Sequence, residues 1–314
     1  MQKKSILGVV AVSTLALCFT ACDWFGRVEE QDHTNMEFCT AVFEDSAAVL
    51  ESNAYQSLSV DFPVEEEDTS SLAQNLLSWL CEKVSKCSFP DWSGEWPGKD
   101  LSLEAVTPTL SQNDGLFAES LVTFYGQKGL EKMKEAIGEE AADGFLGSYM
   151  NNLQIQMIEQ TDGYLTFTLM HDVYLGGAHG SCMVEGITFR KSDGKQLSWQ
   201  MFDKDKRAEM IEKLKPGLKE YFGNSDEGSL KSDEELFDCL MLFDDPDTPE
   251  NELEYGLPLP RTEPWLTRDG IIFMYQQYEI AAYAYGMPDC IIPAEEIIPL
   301  LTDDGKAWLT SVLQ

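Results

Sequence analysis

Histidine is scarce in this chain, three in 314 residues, and one of the three, His179, stands in a glycine-rich corner that reads Tyr174-Leu175-Gly176-Gly177-Ala178-His179-Gly180. Glycines such as Gly176 and Gly177 let a backbone turn tightly and bring its amides close to an anion or a partner. An imidazole at that corner could tie down the turn, hold a partner or move a proton near neutral pH. A second concentration of reactive side chains lies in Gly270 to Gly286, where Tyr278, Glu279 and Tyr283 stand among apolar residues. Read as a strand, this run sends Glu279 to one face and Tyr278 and Ile280 to the other. A buried Glu279 with a raised pKa could serve as a general base beside His179, the pair that a hydrolase would need. The plainer alternative is a strand-edge carboxylate bonded to neighbouring backbone.

Nothing in the sequence supplies that pair with a nucleophile or a metal. No Gly-x-Ser-x-Gly elbow or His-Glu-x-x-His motif occurs. His171 and His179 could be proposed as a metal pair, but no third ligand stands at a motif spacing from them. No cofactor is therefore expected, and no enzymatic activity. Glu295-Glu296 and Asp303-Asp304 read as exposed acids in first helical turns, where the helix dipole favours them.

The first residues say where the protein works. Lys3 and Lys4 precede an apolar run, Ile6 to Leu17, too short to span a membrane and fitting a secretory signal. Phe19-Thr20-Ala21-Cys22 resembles a bacterial lipobox, with Phe where Leu is commoner. Residues 1–21 then read as a lipoprotein signal peptide, Cys22 as the lipidated new N-terminus, and residues 22–35 as a flexible acylated tether. A cleaved signal with a freely secreted product is the alternative. The expected location is the bacterial cell envelope, lipid-anchored to a membrane.

Charge narrows the partners. The chain carries 55 acidic against 22 basic residues, a formal net charge of −33, and loss of Lys3 and Lys4 with the signal makes it more acidic still. Nucleic acid and anionic membrane surfaces both need clustered Lys and Arg, so neither is expected as a direct partner. A field of this sign steers cationic partners toward the protein, or it simply keeps an exported chain soluble. Apart from Cys18 and Cys22, six cysteines remain: Cys39, Cys81, Cys87, Cys182, Cys239 and Cys290. In an oxidising compartment they permit three disulfides, while Cys182 and Cys290, in strand-like segments, also suit buried small hydrophobes.

The elements follow from periodicity. Strands are predicted at Phe38 to Phe43 and Ser57 to Val64, then a helix capped by Ser70 or Ser71 with Leu72, Leu76, Leu77, Leu80 and Val84 on one face. Phe89 to Gly98 reads as a loop offering Trp92 and Trp96, either for stacking on sugars or as anchors over the core. A helical region from Leu116 to Ala142 is expected to break near Gly126, Gly129 and Gly138. Thr161-Asp162-Gly163 and Ser192-Asp193-Gly194 are hairpin turns, the second joining Met183 to Phe189 with Gln196 to Trp199. A helix from Asp203 to Phe222, bent at Pro216, a capping box at Ser232 and Glu235, strands at Ile271 to Ile280 and Cys290 to Ile292, and two short helices complete the chain. Strands and helices come in runs, so the class is α+β: antiparallel sheets with hairpins packed against helices.

Three segments together resemble the extracytoplasmic domain family of RsiV and PdaC: Gly176-Gly177-Ala178-His179-Gly180, the run Leu257-Pro258-Leu259-Pro260 with Trp265-Leu266-Thr267, and Gly270 to Gly286 with Ile291-Ile292-Pro293. Gly270, Phe273, Tyr275, Tyr278, Glu279, Ile280, Ala281, Tyr283, Ala284 and Gly286 agree with the family signature, whereas Ala282 and Tyr285 replace its usual Pro and Ala. The resemblance covers residues 36 to 302. It implies two closely associated modules, an N-terminal one at 36–185 and a C-terminal one of unknown function at 186–314. RsiV is an anti-sigma factor whose outer domain binds lysozyme, and PdaC carries these modules ahead of a peptidoglycan deacetylase domain. This chain carries neither a sigma-binding segment nor a deacetylase domain, so what the resemblance implies is recognition. The expected function is a non-enzymatic binding module for lysozyme, another basic protein or cell-wall material, with Gly176, Gly177, His179, Tyr278, Glu279 and Tyr283 as candidate binding residues. The alternatives are a peptidoglycan-acting hydrolase using Glu279 and His179, and a structural envelope lipoprotein with a bacterial protein partner.

Overall fold

A computed structural model describes residues 36–64, 70–88, 116–142, 147–223, 228–241 and 256–314. The residues read as signal peptide, lipidated Cys22 and tether, and those read as a loop with Trp92 and Trp96, lie outside the described residues. Those residues belong to one compact unit, Thr34–Gln314. The fold is α+β, as the runs of elements imply.

Two long strands, β1 (Phe38–Val49) and β2 (Ser52–Pro63), open the fold as an antiparallel hairpin. Residues 52, 54, 56, 58, 60 and 62 of β2 are buried and those between them are not, the two-residue period of a strand with one covered face. Helices α1 (Ser71–Cys87) and α2 (Leu116–Ala142) follow. Ser70 caps α1 by accepting from the Ala73 amide at 3.2 Å, and Leu72, Leu76, Leu80 and Val84 form its buried stripe. The chain then returns as β3 (Tyr149–Gln160), β4 (Tyr164–Leu175) and β5 (Ser181–Arg190), giving a five-stranded sheet in the order β1-β2-β3-β4-β5. β2 and β3 pair in parallel, so the sheet is mixed where an antiparallel one was expected. The helical crossover explains this: α1 and α2 carry the chain back to the end where it started.

α2 runs unbroken through the three glycines that were expected to interrupt it. Two of them serve close approach. A Cβ at Gly129 would lie 2.1 Å from the Ser88 carbonyl, and one at Gly126 would lie 2.2 Å from the Phe43 ring.

The remainder builds a second layer around its own apolar core. After β5 the turn at Ser192-Asp193-Gly194 forms, but the strand expected from Gln196 to Trp199 is reduced to the single bridge of Gln196 to Phe189, and a 3-10 turn, Trp199–Met201, follows. The helix expected from Asp203 begins as a 3-10 turn capped by Asp203 and continues as α3 (Arg207–Tyr221), which passes through Pro216. The capping box of Ser232 and Glu235 opens α4 (Asp233–Cys239). A three-stranded antiparallel sheet then forms from β6 (Trp265–Thr267), β7 (Gly270–Met274) and β8 (Asp289–Ile292). Helices α5 (Ala294–Ile297) and α6 (Asp303–Val312) end the chain, with Glu295, Glu296, Asp303 and Asp304 in their first turns as expected. Met210, Ile211, Leu214 and Leu218 of α3 pack with Phe273, Ile292, Trp308 and Leu309 in this core. The residue pair 185/186 lies inside β5. Among the described residues no helix is long and apolar enough to cross a membrane.

Cys39, Cys81, Cys87, Cys239 and Cys290 carry free thiols, so none of the three permitted disulfides forms among the described residues. Cys81, Cys87 and Cys290 are buried among apolar side chains, and burial pushes the Cys81 and Cys87 thiols up to about 12. They behave as small core hydrophobes.

Candidate functional site

The predicted strand from Ile271 to Ile280 stops at Met274. Beyond it the chain folds into a compact loop, 275–286, pinned at every turn. The Tyr275 amide donates to the Pro288 carbonyl and its hydroxyl to the Pro258 carbonyl at 2.7 Å, which fixes the Leu257-Pro258-Leu259-Pro260 segment beneath the loop. Gln276 and Gln277 reach the outer edge of β5. Gln276 accepts from the Val184 amide at 3.0 Å and donates to the Val184 carbonyl at 2.7 Å, and Gln277 accepts from the Cys182 amide at 2.9 Å. Side-chain amides thus take the place of a sixth strand on an otherwise open edge. The two glutamines were not singled out as functional, although they stand inside the quoted motif.

Tyr278, next in line, has a φ of +64°. A bulky residue in the left-handed region costs about 1–2 kcal/mol and persists only where its surroundings hold it. The ring it presents is 49% exposed. Opposite it stands the corner after β4, where Gly176 (φ +83°) and Gly177 (φ +90°) adopt the left-handed backbone that their lack of a Cβ allows. The Tyr174 hydroxyl closes this corner on the Gly177 carbonyl at 3.0 Å.

His179 joins the two. Its Nδ1 lies 2.9 Å from the Gly180 carbonyl, which can only accept, so Nδ1 carries the proton and Nε2 is left to accept from the Tyr278 hydroxyl at 3.1 Å. The imidazole lies on the Tyr283 ring, centroids 4.0 Å apart and 23° from parallel, and Tyr278 approaches the same ring at 5.7 Å. Tyr285, 45% exposed, sets its ring edge-on against Phe222, and its carbonyl accepts from the Tyr221 hydroxyl at 2.6 Å. The structure therefore brings His179, Tyr278 and Tyr283 into one aromatic cluster, with Gly176 and Gly177 turning the chain that leads to His179.

Glu279 is held elsewhere. Because the backbone is turned and not extended, the alternation expected of a strand does not apply, and each carboxylate oxygen accepts from a backbone amide, Arg261 at 2.7 Å and Gln276 at 2.7 Å. Burial holds its pKa above the ordinary carboxylate value, against the lowering effect of those two amides. His179 and Glu279 have different partners and are not hydrogen-bonded to each other.

His171 is also apart from the cluster. It is buried, and its Nε2 lies 2.6 Å from Asn151 Oδ1, while Asn151 Nδ2 donates to the Cys87 carbonyl at the end of α1. Burial pushes the His171 pKa down to about 4. Among the described residues no group of three or more His, Cys, Asp or Glu is placed to hold a metal ion.

What the cluster offers chemically is ring faces, one phenol and one imidazole, on a loop whose backbone is fixed before anything binds. Such a surface suits recognition: tyrosine gives large contact area with little conformational entropy to lose.

Residues 200–295, which include α3, the second sheet and the 275–286 loop, match the family model described as DUF3298, a protein of unknown function. Two solved structures share the fold. A DUF3298 family member from Bacteroides fragilis superposes with a TM-score of 0.58 at 18% identity, covering 88% of this chain and 97% of its own. A DUF3298 family protein from Pseudomonas aeruginosa gives 0.53 at 14% identity, covering 86% and 96% respectively. No curated protein matches the sequence.

Proposed function

We propose that this chain is a non-enzymatic recognition module of the bacterial cell envelope, anchored by lipid at Cys22, and that its partner is a basic protein of the lysozyme type. The observation that carries the reading is the strained, exposed Tyr278, hydrogen-bonded to His179 and tilted against Tyr283, on a loop that is pinned by Gln276, Gln277 and Glu279. Strain at an exposed aromatic is retained where preorganisation serves binding. A net charge of −33 supports a cationic partner, and the resemblance to an ectodomain that binds lysozyme supplies the class. Glu279 supports a non-catalytic role by spending both oxygens on backbone amides.

Calorimetry of the protein with a c-type lysozyme, at two salt concentrations and beside an equally basic control protein, tests this. Tight binding that outlasts added salt, is absent for the control and falls at least tenfold in Tyr278→Ala or Tyr283→Ala is the expected result. Weak binding shared with the control and erased by salt would sink the reading and direct attention to cell-wall fragments.

A further inference from the structure

A groove of about 530 Å³ runs along the outside of the C-terminal layer between α3 and β8, within the size range of ligand clefts. Its floor is apolar: Pro216, Gly217, Ile291 and Pro293, with Ile291 42% exposed. The floor exists because α3 sits directly on the strand at this point. A Cβ at Gly217 would lie 2.2 Å from the Cys290 Cβ, so the helix approaches to backbone distance, with Pro216 exposed beside it. β8 is the outer strand of its sheet.

The rim is acidic. Glu209, Glu212 and Glu296 surround the floor against one cation, Lys213, whose Nζ is already paired with Glu296 at 2.6 Å. Glu212 leans to Lys215, and Glu209 has no cationic partner among the described residues. An apolar floor under an acidic rim selects a ligand that offers both complements at once. A purely hydrophilic cation would leave the floor wet, and a second copy of this chain, at −33, would bring acid against acid.

We propose that this groove is a docking site for an extended cationic peptide segment, one apolar side chain flanked by lysine or arginine, displayed by a partner protein. It shares no residue with the tyrosine cluster, and it rests on the reading above only for the partner's charge. The apolar side chain seats on Ile291 and Pro216, and the flanking cations lie against Glu209 and Glu212.

The test measures binding of a labelled Lys-Lys-Leu-Lys-Lys peptide to the full chain by fluorescence anisotropy, beside Lys-Lys-Gly-Lys-Lys. The leucine peptide should bind about tenfold more tightly, from burial of one aliphatic side chain. Ile291→Ser, at an exposed position, should remove that preference, and Glu209→Lys should weaken both peptides severalfold. Tyr278→Ala should leave the preference intact. Equal binding of the two peptides, or a preference that survives Ile291→Ser, would show that only diffuse acidity is at work and would overturn the proposal. So would self-association of the chain by sedimentation that Ile291→Ser abolishes, since the groove would then be covered by a second copy. An intact peptide preference in a chain that ignores lysozyme would retire the earlier reading and leave this site standing.

Discussion

At the scale of single residues, two side chains separate binding from stability. Tyr278 holds a left-handed backbone that glycine adopts freely, so Tyr278→Gly relieves roughly 1 kcal/mol of strain while removing the ring and its bond to His179. Its expected outcome is a urea midpoint that is unchanged or slightly higher, together with loss of partner binding. A large fall in the midpoint would make Tyr278 a structural residue. His171 gives the opposite case, stability without exposure. Its folded pKa of about 4 lies below the ordinary 6.5, so the folded state refuses a proton that the unfolded chain accepts. Its contribution is complete above pH 6.5 and is lost as pH falls from 6.5 toward 4, by about 3 kcal/mol at most. Urea titrations at several pH values should show this decline in the native protein and its absence in His171→Gln, and the difference between the two isolates the imidazole from other titrating groups. His171 and His179 are chemically identical in the sequence. Only burial under α1 against Asn151 distinguishes the structural one from the exposed one.

At the scale of elements, local pattern was legible wherever the signal and the structure share one cause. The Ser70 cap, the capping box at Ser232, the apolar stripe of α1 and the Thr161-Asp162-Gly163 turn all depend on neighbours in sequence, and all form as read. Pattern misled where a distant neighbour decides. Gly126 and Gly129 look like helix breakers, yet they are the points where Phe43 and Ser88 touch α2. The alternation from Ile271 to Ile280 looks like strand, yet the ladder ends at Met274 because the next residues bond to β5 instead. The candidate site was legible in composition, as glycine, histidine and tyrosine, and not in geometry, since Glu279 turned inward once the strand became a loop. Two glycines of one helix provide the check. Gly138→Ala meets nothing within 4 Å and should stabilise by about 0.5–1 kcal/mol through helix propensity alone, whereas Gly129→Ala, facing the Ser88 carbonyl at 2.1 Å, should destabilise by about 1–3 kcal/mol despite the same propensity gain. Thermal unfolding of both variants reads the two signs. A shared sign would mean that α2 does not approach α1 as closely as described.

At the scale of the whole molecule, the question is whether the two sheets act as one body, because the tyrosine cluster is assembled from both: His179 comes from the corner between β4 and β5, and Tyr278 and Tyr283 come from the loop after β7. The joint between the layers, seven residues along the β4–β5 ladder from that corner, is polar and buried. Thr188 is fully buried, lies 2.9 Å from the Thr166 hydroxyl and accepts the Leu266 amide at 2.7 Å, while Thr166 donates to the Leu266 carbonyl at 2.6 Å. Beside them Gly186 lets the Trp265 ring lie against the strand, where a Cβ would sit 2.0 Å from it. Thr188→Val keeps the volume and removes the acceptor, which leaves the buried Leu266 amide orphaned at a cost of about 1–3 kcal/mol. If the joint couples the layers, hydrogen exchange should accelerate in the 149–190 strands and in 265–313 together, unfolding should stay a single transition at a lower midpoint, and partner binding at the cluster should weaken with it. Exchange that accelerates only in 265–313 would mean that the first sheet stands alone. In that case His179 and Tyr278 would be held together by their own contacts and not by the fold.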